Sequence, residues 1–122
     1  MSRLSRVRGD AGAVTAELAL GLPVLLALTA GLVWLLALGS AQVRVVDASR
    51  EAARAVARGD DHASAVRVAE RIAPDGAVVR ISVSGGEVRV STTARVAGPG
   101  GLFDHLPRLD VEADAVALME DQ

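Results

Sequence analysis

The sequence predicts an α+β fold, in which a long N-terminal transmembrane helix continues into a soluble part made of a short second helix and a three-stranded antiparallel sheet. Three observations predict it. Residues Leu18 to Ala41 carry no charge and hold ten leucines, two valines and a tryptophan. Helix-favouring alanines follow without a breaker as far as Gly59. Beyond Pro74-Asp75-Gly76 the apolar spacing changes to two, the period of a half-buried strand.

The uncharged run is the first element. As a helix it reaches about 36 Å at roughly 1.5 Å per residue, against a hydrocarbon layer of about 30 Å. Its leucines and valines favour insertion by on the order of −4 to −7 kcal/mol, partly offset by Gly21, Pro23, Thr29, Gly31 and Gly39. A buried helix in a soluble fold is the first alternative, but the rest of the chain is too small and polar to cover every face. A secretory signal peptide cut after Ala41 is the second; its apolar core would be longer than such signals use, with Glu17 abutting its start. Arg3, Arg6 and Arg8 precede the run, opposed by Asp10 and Glu17, and mixed charges follow it. The expected orientation places the N-terminus in the cytoplasm and the larger domain outside.

Past the run, Val45, Ser49, Ala52 and Val56 fall on one helical stripe, with Asp47–Arg50 and Glu51–Arg54 as i,i+3 pairs on a solvated face. Asp60 or Asp61 can cap a second helix to about Ala73, turning Val66, Ala69 and Ile72 inward. Val79, Ile81 and Val83 then alternate with Arg80, Ser82 and Ser84. Ser84-Gly85-Gly86-Glu87 reads as a hairpin turn, with a return strand from Val88 to Val96. A loop from Gly98 to Arg108 leads to a third strand, Leu109 to Met119, with Asp110, Glu112 and Asp114 outward. The soluble part has Phe103 as its only aromatic core candidate, so its core is expected to be small, aliphatic and dependent on a neighbour.

Composition narrows the chemistry. A net charge of −2, with all thirteen basic residues arginine, argues against a general nucleic-acid binder. Cysteine is absent, so no thiolate zinc site can form. His62 and His105 are the two histidines, and neither belongs to a metal-ligand or nucleophile-elbow pattern. Gly98-Pro99-Gly100-Gly101 lacks the Lys and Ser/Thr of a phosphate cradle. The expectation is a protein that is not an enzyme, with no cofactor, no metal and no small-molecule substrate.

Before the span the chain reads Met1-Ser-Arg-Leu-Ser-Arg-Val-Arg-Gly-Asp-Ala-Gly12, then Ala13-Val14-Thr15-Ala16-Glu17. This short basic leader, with Glu17 fifth after Gly12, resembles the type IV prepilins. A carboxylate at the lip of a hydrocarbon span needs a cationic partner. In a helical stack of such subunits, a neighbour's new α-amino group can supply that cation and set the stagger. The alternative is a carboxylate that meets only its own helix dipole and water. Pro23 deletes one helical donor and crowds the carbonyl of Ala19, so a kink or loosened turn is expected there. It serves either repacking during assembly or nothing beyond a membrane kink. Ala27 and Gly31 form a small-xxx-small pair, a weak signal for close helix approach.

Two stretches extend the resemblance. Gly12-Ala13-Val14-Thr15-Ala16-Glu17-Leu18-Ala19, followed by Leu22-Pro23, and Asp47-Ala48-Ser49-Arg50-Glu51-Ala52-Ala53-Arg54 are similar to TadE-like proteins of tight-adherence (Flp-type) pilus systems. The resemblance implies a pilin-like fold and a minor pilin or assembly factor processed by a prepilin peptidase. It carries over Gly12 and Ala13 as the cleavage pair and Glu17 as the assembly acid. The implied partners are the membrane, that peptidase, other pilins and the pilus assembly platform. Leu18 stands where fibre-forming pilins often have an aromatic, which favours an accessory role. The expected organisation is a leader over 1–12, an assembly motif and span over 13–41, and an extracytoplasmic domain over 42–122. A secreted binding domain released after Ala41, a membrane-tethered accessory protein of a secretion system, and a membrane-tethered enzyme or sensor are the alternatives.

Overall fold

The computed structural model describes residues 2–98 and 108–120, with side chains from residue 9 onward. Its elements run α1 (Ser2–Ala57), α2 (His62–Ile72), β1 (Val78–Ser84), β2 (Glu87–Val96) and β3 (Leu109–Leu118). The strands form one antiparallel sheet in the order β1-β2-β3. This is the α+β architecture that the sequence predicts. The chain divides into two compact units, Met1–Trp34 and Leu35–Gln122.

In the first unit α1 is helical through Pro23 without a break. Thr15 and Thr29 return their hydroxyls to the carbonyls of Ala11 and Leu25, at 2.9 and 2.8 Å. Its leucines face outward: Leu20 is 75% exposed and Leu26 69%. Among the described residues, α1 is the one helix long and apolar enough to cross a membrane.

The second unit buries the expected stripe. Val45, Ser49, Ala52 and Val56 are all buried, joined by Ala48, Ala53, Ala55 and Ala57. Gly59 ends α1 in the left-handed region (φ 103°), where its N–H donates to the Val56 carbonyl and the Asp60 N–H to the Ala55 carbonyl. That pair of bonds is the Schellman arrangement, and glycine meets its backbone demand without strain.

On α2 the deepest residues are Ala65 and Ala69. Val66, expected inward, is only half-buried, because the contact stripe passes one position earlier, through Ala65. Small side chains win the seam and leave the valine at its edge. Asp61 takes the N-cap position with extended backbone (φ −69°, ψ 154°) but makes no side-chain capping bond.

The first hairpin turns where the sequence places it. Ser84 pairs with Glu87 across Gly85 and Gly86, both at positive φ (58° and 80°), the geometry of a tight two-residue hairpin. Val88, Val90, Thr92 and Ala94 of β2 are buried against the helices. Asp110, Glu112 and Asp114 of β3 face outward. One core cluster joins α2, Val88 and Val90 of β2 and the later turns of α1; the other joins Ala41, Val45, Ala94, Val111 and Ala113. Both are built from alanine and valine. Phe103 and His105, with most of the Gly98–Arg108 loop, lie outside the described residues.

Three polar contacts tie these layers together. Ser49 Oγ lies 2.7 Å from Thr92 Oγ1 and donates to the Ala113 carbonyl at 3.0 Å. A hydroxyl has one proton, so Thr92 supplies the proton of the first bond. Arg44 donates from Nε to the Ile72 carbonyl (2.9 Å) and from Nη2 to that of Ala73 (3.1 Å), capping the end of α2 with positive charge. The Glu120 N–H donates to the Ala57 carbonyl at 3.1 Å. On the solvated side, Glu51 lies 3.9 Å from both Arg54 and Arg58. Asp47 and Arg50, both exposed, form no ion pair among the described residues.

Candidate functional site

The residues singled out in the sequence, Gly12, Ala13, Glu17 and Pro23, all lie on α1 in the first unit, and all are exposed. At about 100° per residue, Val14, Glu17, Leu18, Gly21, Leu22 and Leu25 fall on one face. They line a shallow concavity of about 230 Å³. Its floor is Gly21, where an added Cβ would meet nothing within 4 Å. The missing side chain leaves a notch in an otherwise leucine-walled stripe, and Glu17 stands at its rim. Pro23 falls on the far side of the helix from this stripe.

Glu17 has no ion-pair or hydrogen-bond partner among the described residues. Arg3, Arg6 and Arg8 precede the residues whose side chains are described. A lone carboxylate beside an apolar notch can accept a cation brought by another molecule, and the notch lets that molecule's backbone come close. Gly21 is the member of this face that sequence reasoning missed. The signal was available: it lies four residues after Glu17, one helical turn on.

The second unit offers no comparable chemistry. Among the described residues no three His, Asp or Glu side chains group as metal ligands. His62 is exposed at the start of α2. At Asp61 the Ser64 hydroxyl, aided by the Arg67 guanidinium, holds the carboxyl below its ordinary range, although Asp61 itself is fully exposed. The outer face of the sheet carries an ion pair, Arg95 Nε 3.5 Å from Asp110 Oδ1, and a hydrogen bond that Ser91 Oγ donates to Glu112 Oε1 at 3.2 Å. These are solvated pairs that contribute little.

Comparison with known proteins adds two findings. Residues 12–54 match the family model described as TadE-like protein. The matched segment opens at Gly12, contains Glu17, Gly21 and Pro23, and closes at Arg54 in the alanine-rich part of α1. The chain is also 43% identical over 81 residues to the apoptosis inhibitor Rv3655c of Mycobacterium tuberculosis, an alignment covering 66% of this chain and 58% of that relative. The chain thus spans little more than half the length of the curated relative it matches. No solved structure matches.

Proposed function

We propose that the chain, which matches the TadE-like protein family model over residues 12–54, works as a minor pilin or pilin-like assembly factor of a Flp-type, tight-adherence pilus. It is held in the membrane by one span, with the N-terminus cytoplasmic and the C-terminal domain extracytoplasmic. A prepilin peptidase cuts between Gly12 and Ala13. The new α-amino group of one subunit then pairs with Glu17 of a neighbouring pilin or platform protein. The role is structural, without catalysis or cofactor.

One observation carries this reading: inside the matched segment, the one carboxylate of an apolar stripe stands exposed, without a partner among the described residues, beside a glycine notch. Such a group is costly in lipid until a cation meets it. The test has two parts. Intact-mass measurement of the chain from its native host should give an N-terminus at Ala13; retention of residues 1–12 refutes processing. Glu17→Ala should leave membrane insertion intact and abolish or strongly reduce piliation; normal pili would refute the assembly role.

The name of the mycobacterial relative, an apoptosis inhibitor, favours a second reading, a secreted binding domain released after Ala41. The packing speaks for the first. Ala41 is buried, and it shares a cluster with Val45 and Val111, against which Leu38 also packs. A cut there would divide a helix and strip two residues from the core. A soluble product beginning at Gln42 in culture medium would establish the second reading instead.

A further inference from the structure

We propose that the buried Ser49–Thr92 hydroxyl pair is a register lock: it selects which turn of α1 lies against the sheet, more than it adds stability. The inference concerns the second unit alone. Among the described residues Ser49 and Thr92 are the two buried polar side chains, both at 0% exposure. They sit at the joint between the two core clusters. Val45 and Ala94 belong to one cluster, and Ala48, Ala52 and Val90 to the other. Each hydroxyl therefore has apolar neighbours on either side of it along its own element.

Shape alone separates the possible registers poorly. Between residues 48 and 57, α1 buries five alanines, Ser49 and Val56, a surface that nearly repeats with each turn. The sheet meets it with Ala94, Ala113, Ala115 and Ala117. Sliding α1 by four residues, about 6 Å at roughly 1.5 Å per residue, would put Ala53 in the place of Ser49.

What such a slide loses is polar. Thr92 Oγ1 would give up its partner at 2.7 Å and the Ala113 carbonyl its bond at 3.0 Å. The Ser49 hydroxyl would enter the place of Val45, beside Ala94 and Val111. None of these groups could turn to water instead. Gln42 and Arg44 also tie α1 to β3 and α2, but at or near the surface, where water replaces their bonds in a shifted register. A buried polar contact can thus choose among apolar packings of similar quality. The TadE-like match closes at residue 54, so the lock joins a serine inside it to a threonine outside it.

The chain has no cysteine, so Asp47→Cys and Leu118→Cys, both at exposed positions, can carry a pair of spin labels on the full chain in detergent. α1 runs along β3, from Ala41 in one cluster with Val111 to Ala57, which accepts from the Glu120 N–H. A slide therefore changes the label distance. With Ser49 and Thr92 in place, pulsed dipolar spectroscopy should give one distance. Ser49→Ala with Thr92→Val removes both hydroxyls; it should unfold at higher urea than Ser49→Ala alone and add a population longer by up to about 6 Å. Ser49→Ala with Ala53→Ser moves the hydroxyl by four residues and should make the longer distance the main one. The original distance alone in both variants overturns the lock and leaves the pair a stabilising contact. Failure of the hydroxyl-free variant to fold, read by circular dichroism, overturns it too unless the Ala53→Ser variant still shows the longer distance.

Discussion

The two halves of α1 share one backbone geometry and bury different things. Before Trp34 its large side chains, leucines above all, are mostly exposed; from Ala41 to Ala57 its inward residues are alanine, valine and serine at 0–6% exposure. An apolar side chain that its own chain leaves uncovered needs another covering, whether lipid or a neighbouring helix. An apolar stripe of small residues is instead shaped for an intramolecular sheet that comes close. The difference teaches that side-chain size, more than hydropathy, separates the outward-facing part of this helix from its folded part.

Adding bulk should break the comparison most visibly. Ala52→Leu places extra volume where exposure is 0%, and overpacking of this kind costs about 3 kcal/mol at its upper end. Ala27→Leu, on the exposed half, should shift nothing measurable. Urea unfolding of the two variants in the same detergent reads both. Equal effects would show that the halves are not packed differently.

Removing polarity sharpens it next. Ser49→Ala deletes the hydroxyl that links Thr92 to the Ala113 carbonyl and leaves buried polar atoms unmatched, at about 2 kcal/mol. Thr29→Ala, which removes an exposed back-bond within α1, should cost far less. Arg44→Ala is smaller still, under about 1 kcal/mol for a charge at a solvent-facing helix end, with α2 losing amide-exchange protection first.

The smallest expected effect is a pH slope. The carboxyl of Asp61 is held lower in the folded chain than in the unfolded one, chiefly by Ser64. Its contribution is therefore complete above the ordinary carboxylate value and lost as pH falls through the folded one. Asp61→Asn should lower the unfolding midpoint slightly at neutral pH, where the contribution is complete, and converge with the parent chain as pH falls through the folded carboxyl's range.

Much of the fold was legible because its signals are local. The alternation from Val79 to Val96, the paired glycines of the hairpin and the stop at Gly59 each depend on neighbours within a few residues. The inward stripe of α1 was legible for the same reason. The exchange of Val66 for Ala65 was not, since both satisfy a helical stripe and only the opposing sheet chooses between them. Arg44 reached across 28 residues to cap α2, and Ser49 across 43 to meet Thr92; spacing along the chain cannot announce such bonds. At the candidate site Glu17 drew attention as the one charge beside the span. Gly21 did not, because a notch is visible only once its walls are in place.

The alanine seam also bears on how this protein can change over evolutionary time. Leucine, valine and isoleucine are nearly interchangeable on a surface that meets fluid or adaptable surroundings, so the front of the helix can drift quickly while keeping its character. The back is confined to residues no larger than its own alanines, valines and serine, since added bulk would lift the sheet from its seat. A single unbroken helix thus carries two clocks, and the slower one keeps time for the fold.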